Sequence, residues 1–377
     1  MSGRAPHILH LHSSFDTGGK ELRTARLINA LGPGFEHAIV SGDPARRSAA
    51  AALNARARVT WPAFPPLTGK PWPSRLKHLA EAMAGYDLVC TYNWGAMDAA
   101  LAHTLFADVC KLAPLVHHED GFNEDEAGGL KPRRNLYRRI ALGRAAALVV
   151  PSRQLERIAL EIWQQPRRRV RYIANAIDTA AFAAPPARTA VPGLVKRQGE
   201  LWVGTLAGLR PVKNLPALVR AFAGLPEPWQ LVIAGNGPER GAILAEAERL
   251  GIDDRLHLPG FVEPSRIAGL FDVFALSSLS EQAPLSVVEA MAAGVPVAAP
   301  RVGDVAAMVA SENGSYLTEP GDDDALRDAL ARLAGDEVLR KRIGQANRAK
   351  AAAEFDQAHM VERYRALYSG LIGSGPP

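Results

Sequence analysis

The feature that most constrains the fold is an alternation of short apolar runs with longer stretches of helical period. The short runs are rich in Leu, Val and Ile, whereas the longer ones carry Ala, Leu and Arg with apolar residues three or four positions apart. This alternation is typical of parallel strands joined by crossover helices, the α/β class. The predicted strands form two series: first 8–11, 37–41, 88–91, 115–118 and 147–151, then 169–173, 201–206, 230–234, 256–258, 273–276, 297–299 and 314–317.

The length of the chain and one linker-like segment indicate two domains. Its 377 residues exceed the usual size of a single core, so two parallel-sheet domains are expected. The segment Phe182 to Pro192 is rich in Pro and Ala, as interdomain linkers often are. We therefore predict domains at 1–184 and 185–355. The remaining segment, 356–377, is predicted to be an amphipathic helix that docks its apolar face elsewhere, through Val361, Tyr364, Leu367, Tyr368 and Leu371.

The amino-acid composition limits the cell compartment and the binding partners that we expect for this chain. The sequence holds no run of about 20 apolar residues and only two cysteines, which predicts a cytoplasmic protein without a disulfide framework. A net charge of +5 is compatible with nucleic acid, an anionic membrane surface or phosphorylated small molecules. The basic residues are densest from Lys131 to Arg144, which predicts a basic amphipathic helix. That helix is either simply solvated or a peripheral contact with anionic membrane.

Two loops that follow predicted strands have features of phosphate sites. In the first, Gly18 and Gly19 lie between a strand and a helix, where backbone can approach a ligand closely, although a plain tight turn is the alternative. In the second, Arg210 and Lys213 precede a predicted helix at 215–222. Two cations at a helix N-terminus repel each other unless an anion lies there, which favours a diphosphate site over a surface pair.

The most informative segment runs from Glu281 to Gly294. It places Glu281 in a loop after a strand and Glu289 eight residues later in a helix, so both carboxylates can face one pocket. A carboxylate can accept hydrogen bonds from two vicinal hydroxyls, as found on ribose and hexose rings. The turn at Pro284 would direct backbone amides into the same pocket.

These motifs together resemble the retaining glycosyltransferases of family 4, which have the GT-B fold. The resemblance covers essentially the whole chain, and the two glutamates with seven residues between them are its most specific part. Further matching segments are 175–178 (NAID), 235–238 (GNGP) and 259–262 (PGFV). The resemblance implies two Rossmann-like domains facing a cleft, with the C-terminal helix returning to the N-terminal domain.

The resemblance also implies a reaction and a set of site residues. The expected reaction is transfer of a hexose-type sugar, with retention, from a nucleotide-diphosphate sugar (UDP-sugar by default) to a glycan, lipid-linked or small-molecule acceptor in cell-envelope or exopolysaccharide synthesis. Lys213 and Arg210 would bind the diphosphate, Glu289 the ribose and Glu281 the transferred sugar. The implied donor-binding residues are Gly18, Gly19, Arg210, Lys213, Phe261, Val262, Glu281, Gln282, Ala283, Pro284, Leu285 and Glu289, and the implied catalytic residues are Asp120, His118, Lys213 and Glu281.

The sequence departs from the family pattern at three places. Gly208 stands where the family usually has Arg, so Arg210 substitutes from a shifted position or Lys213 carries the phosphate contact almost alone. Gln282 replaces the usual Gly after the first glutamate. Asp120 occupies the position of the family's active-site His, with His118 as the alternative if the strand shifts by two.

A carboxylate at Asp120 would suit the positive charge that develops on the anomeric carbon. Alternatively, Glu119 and Asp120 belong to an ordinary acidic loop that continues through Glu124, Asp125 and Glu126.

Other functions are less consistent with the sequence. No histidine or carboxylate spacing indicates a metal site, so no metal or cofactor is expected. A GT-B epimerase or phosphorylase shares the two-domain outline, but a phosphorylase would need a pyridoxal lysine that the sequence does not identify. A basic nucleic-acid-binding protein would interleave aromatic and basic residues over one face, whereas the aromatic residues here are scattered.

Overall fold

A computed structural model describes residues 4–121, 126 and 129–373. The chain divides into two compact units, 1–174 together with 360–377, and 175–359. Each unit contains its own parallel sheet, which confirms the predicted class of two Rossmann-like domains. The two units divide at 174/175 and 359/360, whereas the predicted domain boundaries are 184/185 and 355/356.

Unit 1 contains a seven-stranded parallel sheet in the order β3-β2-β1-β4-β5-β6-β7. Its strands are β1 (His7–His12), β2 (Glu36–Ser41), β3 (Val59–Thr60), β4 (Leu88–Tyr92), β5 (Leu115–His118), β6 (Ala147–Val150) and β7 (Val170–Tyr172). Its helices are α1 (Gly19–Leu31), α2 (Pro73–Ala82), α3 (Met97–Phe106), α4 (Pro132–Ala141) and α5 (Arg153–Glu161). Strands β1, β4, β5 and β6 are almost wholly buried because helices cover the sheet, as in other parallel sheets.

Unit 2 contains a six-stranded parallel sheet in the order β10-β9-β8-β11-β12-β13. Its strands are β8 (Leu201–Leu206), β9 (Trp229–Ala234), β10 (Leu256–Gly260), β11 (Val273–Ala275), β12 (Val297–Pro300) and β13 (Leu317–Thr318). Its helices are α6 (Leu215–Ala223), α7 (Arg240–Leu250), α8 (Leu285–Ala292), α9 (Val305–Met308), α10 (Asp323–Ala334) and α11 (Glu337–Glu354). Helix α12 (Gln357–Gly373) begins in this unit and continues into unit 1 at Met360.

The linker-like segment lies within unit 2. It contains little regular structure and packs against the loop that precedes β11. Just after the segment, the ammonium of Lys196 donates to the carbonyl of Leu270 (2.7 Å) and to Asp272 (2.6 Å) in the same loop. A Cβ added at Gly269 would lie 2.8 Å from Pro186. The Pro/Ala-rich composition therefore marks a segment that packs along a domain rather than a free tether.

The terminal helix docks through a narrower face than its sequence predicts. Met360, Tyr364 and Tyr368 are buried, whereas Val361 and Leu367 are only partly covered. These three buried residues recur every four positions, so one stripe of α12 makes the contact. Among the described residues, no helix is both long and apolar enough to span a membrane.

Candidate active site

Two loops of unit 2 that follow different strands are joined at the carboxyl edge of the sheet. The loop after β8 makes a short 3-10 turn, Pro211–Lys213, and passes into α6 through Asn214, whose φ is +48°. The backbone N–H of Leu279, in the loop after β11, donates to the carbonyl of Val212 at 2.9 Å. The hydroxyl of Ser277 donates to the carbonyl of Lys213, also at 2.9 Å. Because β8 and β11 are neighbours in the sheet, the loop that carries Lys213 is held against the loop that carries Glu281.

This joining places Lys213 and Glu281 in direct contact. The ammonium of Lys213 forms an ion pair with the carboxylate of Glu281, and both side chains are largely buried. The hydroxyl of Ser278 donates to the same carboxylate oxygen at 2.7 Å. The two residues predicted to bind the diphosphate and the sugar therefore lie together, at the edge where α/β proteins bind ligands.

The segment 282–285 is fixed from the other side by Gly303 and Asp304. The backbone N–H of Asp304 donates to the carbonyl of Gln282 at 2.8 Å. Gly303 has a φ of +54°, and a Cβ there would lie 2.4 Å from that carbonyl, so only glycine allows this approach. The amide oxygen of Gln282 is buried without a hydrogen-bond partner among the described residues. Ala283 and Pro284 complete the turn into α8, which begins at Leu285 and carries the partly buried Glu289.

The other predicted donor-binding residues of unit 2 differ in exposure. Arg210 is exposed, and its guanidinium has no hydrogen-bond partner in the described part of the chain. Phe261 is 73% exposed, whereas Val262 beside it is buried. The structure thus brings Lys213, Glu281 and the 282–285 turn together but does not itself place Arg210 or Phe261 against them.

In unit 1 the predicted glycine pair lies at the start of α1. Gly18 caps this helix in an extended conformation, and Gly19 is its first residue. A Cβ at Gly18 would lie 2.7 Å from a carboxylate oxygen of Glu21, which forms an ion pair with Lys20 at 2.6 Å. Around Gly19 there is nothing within 4 Å of an added Cβ. A side chain at Gly18 would therefore require the Glu21 carboxylate to move, and Gly19 leaves open space beside the helix N-terminus.

Asp120 follows β5 and is paired with Arg23 of α1. The guanidinium donates to both carboxylate oxygens of Asp120, one of them at 2.9 Å. The backbone N–H of Asp120 donates to the side-chain oxygen of Asn93 at 2.7 Å. About 13% of the Asp120 side chain and 9% of the Arg23 side chain remain exposed. Asp120 is thus an oriented, charge-compensated carboxylate, and its partner Arg23 is absent from the sequence-based prediction.

His118, the alternative catalytic residue, is buried. Its ring stacks on Tyr92 at 4.5 Å between centroids, and its Nε2 lies 3.0 Å from the hydroxyl of Tyr368 on α12. Burial, with a smaller contribution from the charge of Arg23, lowers the pKa of His118 well below its usual value. These contacts give His118 a role in docking α12, whereas the Asp120 side chain keeps about 13% of its surface exposed.

Glu119 belongs to a buried ionic cluster. Arg138 of α4 is fully buried and donates to Glu119 (3.3 Å) and to both oxygens of Glu126 (3.1 and 2.9 Å). The alternative of an ordinary solvated acidic loop is therefore wrong for Glu119 and Glu126, while Glu124 and Asp125 lie outside the described residues. The same cluster corrects the predicted basic surface from Lys131 to Arg144, since Arg138 has turned inward because two carboxylates compensate its charge.

His12 is a further polar residue that the sequence did not single out. It ends β1, is fully buried, and stacks on Tyr92 with 3.9 Å between ring centroids. Neither ring nitrogen has a hydrogen-bond partner among the described residues. Burial lowers its pKa well below the usual value, with smaller contributions from the charges of His10, Lys20 and Arg23. In the described ranges, no group of three or more His, Cys, Asp or Glu side chains could hold a metal ion.

Comparison with known families accounts for both units. Residues 17–181 match the model of Glycosyltransferase Family 4, and residues 189–350 match the model of Glycosyl transferases group 1. The chain belongs to the group 1, family 4 glycosyltransferases. This assignment confirms the predicted family, its GT-B fold and the enzyme class.

Individual relatives are similar over part or all of the chain. The N-acetyl-alpha-D-glucosaminyl L-malate synthase of Bacillus anthracis is 29% identical over 44% of this chain and 45% of its own length. The D-inositol 3-phosphate glycosyltransferase of Xylanimonas cellulosilytica is 27% identical over 70% of this chain and 67% of its own. The chain spans about half the length of the first curated relatives it matches.

Solved structures with a similar fold cover nearly the whole chain. Anabaena Alr3699/HepE in complex with UDP has a TM-score of 0.79 at 20% identity, over 97% of this chain and all of that one. The lipopolysaccharide outer core galactosyltransferase WaaB, in its apo form, has a TM-score of 0.71 at 14% identity, over 97% and 99%. At these identities the likeness concerns the fold alone.

Proposed function

We propose that this chain transfers a hexose-type sugar from a UDP-sugar to an acceptor, with retention of the anomeric configuration. The observation that carries the proposal is the contact between Lys213 and Glu281 at the carboxyl edge of the unit 2 sheet. A cation for the diphosphate and a carboxylate for sugar hydroxyls then lie beside each other, as a nucleotide-sugar requires. Structures of HepE are described with UDP and with UDP-glucose, which supports uridine as the base.

In this proposal the ion pair opens when the donor binds. The diphosphate takes the ammonium of Lys213, and Glu281 turns its free oxygens to hydroxyls of the transferred sugar. Ser278 keeps Glu281 oriented, because its hydroxyl still donates to the carboxylate. Glu289, on the helix that follows the turn, accepts hydrogen bonds from the ribose hydroxyls. Hydrogen bonds to a charged acceptor contribute about 1.5 to 3 kcal/mol each.

The proposed transfer exchanges one bond of the anomeric carbon for another. The bond between the anomeric carbon and the phosphate oxygen breaks, and the nucleoside diphosphate leaves with the electron pair. The acceptor oxygen bonds to the same face of the sugar, and the leaving phosphate takes the acceptor's proton. Asp120, held by Arg23 and Asn93, stabilises positive charge on the anomeric carbon.

A peripheral membrane contact through α4 belongs to the same proposal. Leu136 and Ile140 are 58% and 51% exposed, and the exposed residues Arg133 and Arg139 flank them on the same side of the helix. Exposed apolar residues bordered by cations are typical of helices that lie on anionic lipid. Such a contact suits a lipid-linked acceptor.

Calorimetric titration with UDP, GDP and ADP tests the donor assignment. We expect UDP to bind most tightly, and Glu289→Gln to weaken its binding ten- to a hundredfold because the amide loses charge-assisted acceptance from the ribose. Lys213→Ala should abolish turnover of UDP-sugars. Glu337→Gln and Lys341→Ala are matched controls, because these residues form an exposed ion pair on α11. Absence of UDP binding, or equal UDP affinity in Glu289→Gln and Glu337→Gln, would contradict the donor site.

A further inference from the structure

Unit 1 contains a cavity of about 550 Å³ at the carboxyl end of β2. Its walls come from the end of β2 and its loop (Val40, Ser41, Gly42, Pro44, Arg47) and from the segment after β3 (Trp61, Pro62, Ala63, Phe64, Pro65, Pro66). Strands β1 and β2 pair in parallel, with His12 opposite Ser41, so the cavity opens at the edge where the Gly18 and Gly19 loop begins. Ligands of parallel α/β sheets bind at this edge.

The cavity is joined directly to that glycine loop. The backbone N–H of Phe15 donates to the carbonyl of Arg46 at 2.9 Å, and the N–H of Ala49 donates to the carbonyl of Phe15 at 3.1 Å. Asp16 accepts from Arg46 at 2.7 Å and from the hydroxyl of Ser48 at 3.1 Å. The loop that contains Arg47 and the loop that contains the glycines are therefore joined by several hydrogen bonds.

Arg47 is the cation of this cavity, and it has no anionic partner in the described part of the chain. Its guanidinium lies 4.8 Å from the ring centre of Trp61, which itself packs edge-on against the buried Phe15 at 5.5 Å. Its Nε is buried without a hydrogen-bond partner. The neighbouring carboxylate, Asp16, accepts hydrogen bonds from Arg46 and Ser48 instead. Arg47 as a whole is only partly buried, but a guanidinium nitrogen buried without an acceptor is costly unless a ligand supplies one.

The rest of the wall adds few donors. Four of its residues are prolines, which lack a backbone N–H, and the hydroxyl of Ser41 is occupied within the loop, donating to the carbonyl of Asp43 at 2.6 Å. Trp61 and Phe64 present apolar surface. The cavity therefore offers one cation on a wall of mostly apolar residues.

We propose that this cavity binds the acceptor, and that Arg47 selects an acceptor carrying a phosphate or carboxylate group. Guanidinium binds both groups through paired N–H donors, and stacking on Trp61 holds its plane in place. The inference rests on the proposed glycosyl transfer and names the acceptor's chemical class. A soluble anion and a lipid headgroup share this chemistry, so the test includes both.

The test compares acceptors that differ in a single anionic group, with UDP-glucose, UDP-galactose and UDP-N-acetylglucosamine as donors. The soluble pairs are inositol 3-phosphate with inositol, glycerol 3-phosphate with glycerol, and malate with its diamide. Phosphatidylinositol in phosphatidylcholine vesicles forms the lipid arm. UDP release and product mass are measured. We expect at least one anionic acceptor to react, and its neutral counterpart to react at less than a tenth of that rate.

Variants of Arg47 then assign the selection to this cavity. Arg47→Met keeps the length of the side chain and should raise the acceptor KM at least tenfold without changing the Kd for UDP. Arg47→Lys should restore part of the loss. Arg58→Met is the matched control, since Arg58 is exposed and pairs with Glu36 at the opposite end of β2. Melting curves of all three variants check the fold.

Three results would overturn the inference: equal use of neutral and anionic acceptors, no reaction with any anionic acceptor, or an acceptor KM in Arg47→Met within twofold of the parent. UDP binding that still depends on Glu289 would leave the proposed glycosyl transfer standing in each case. Loss of UDP binding in the unaltered chain would instead count against the proposed function itself.

Discussion

At the scale of single residues, the ion pair of Asp120 and Arg23 leads to a prediction about the rate of sugar transfer. Asp120→Asn keeps the shape of the side chain but removes its charge, so stabilisation of the anomeric carbon is lost in the transition state only. We expect turnover to fall about a hundredfold or more, with the Kd for UDP nearly unchanged. Because Arg23 loses its counter-ion while both side chains keep some exposure, stability should also fall, by roughly 1 to 3 kcal/mol.

A second substitution separates rate from stability. Arg23→Met combined with Asp120→Asn removes both charges, and should restore the melting temperature while turnover stays low. If the double variant regains turnover, Asp120 acts only by holding Arg23. His118→Ala serves as the comparison for a two-residue shift of the strand. Near-normal turnover in Asp120→Asn together with an inactive His118→Ala would assign the role to the histidine.

The sequence identified individual residues best where a local motif carries them. Glu281 and Glu289 are eight positions apart and belong to one loop and helix, so their spacing alone indicates a shared pocket. Arg23 and Asp120 are 97 residues apart, and Arg47 meets Trp61 only because β2 and β3 are neighbours. Such contacts depend on sheet order, which local periodicity does not specify. The sequence could have indicated Arg23, because it lies on the helix that directly follows Gly18 and Gly19.

At the scale of elements, α4 makes a claim about membranes. The chain should sediment with anionic vesicles at low salt and be released as salt rises, because screening weakens attraction to lipid phosphates. Leu136→Gln with Ile140→Gln should weaken binding at least tenfold by removing apolar surface from the lipid contact. Val338→Gln is the matched control, since Val338 is 78% exposed on α11 in unit 2. Absence of vesicle binding at every ionic strength would favour a soluble acceptor.

The pattern of apolar residues predicted the bounds of most strands closely. It was wrong where a side chain, in place of backbone, forms the hydrogen bonds to the sheet. Strand β5 has the predicted bounds, 115–118, and all four of its residues, Leu115 to His118, are buried. The predicted strand 314–317 is instead mostly a 3-10 turn, Ser311–Tyr316, followed by β13. The side chain of Asn313 accepts from the N–H of Val297 (2.8 Å) and donates to its carbonyl (2.6 Å), so it pairs with the sheet in place of backbone.

At the scale of the whole molecule, buried histidines are distributed unequally between the units. His10, His12 and His118 of unit 1 are fully buried, and His37 is nearly so. Burial lowers the pKa of all four, to about 4 for His37. In unit 2, His257 is only half-buried and its pKa is lowered less severely. Protonation should therefore oppose folding mainly in unit 1.

The pKa of histidine in the unfolded chain, near 6.5, sets the direction of this effect on stability and the pH range in which it occurs. Between that value and the folded pKa, the unfolded chain binds protons that the folded chain does not, so stability is full above about pH 6.5 and falls as pH decreases. A histidine whose folded pKa is as low as that of His37, about 4, loses about 2 kcal/mol of stability between pH 7 and pH 5. Carboxylates with lowered pKa values, such as Asp16 and Glu126, lose their contribution only at lower pH. The range from pH 7 to 5 therefore isolates the histidines.

Scanning calorimetry at pH 7 and pH 5, with and without UDP, should show one transition that moves sharply with pH and one that responds to UDP. The first reports unit 1, and the second reports unit 2, which a ligand at 100 times its Kd stabilises by roughly 2.7 kcal/mol. His12→Phe loses no hydrogen bond and keeps the stacking on Tyr92. It should therefore lose less stability than the parent chain as the pH falls from 7 to 5, so that the first transition at pH 5 lies at a higher temperature. His78→Gln, at an exposed position of α2, should leave the pH dependence unchanged, and an equal response in both variants would show that buried histidines do not set it.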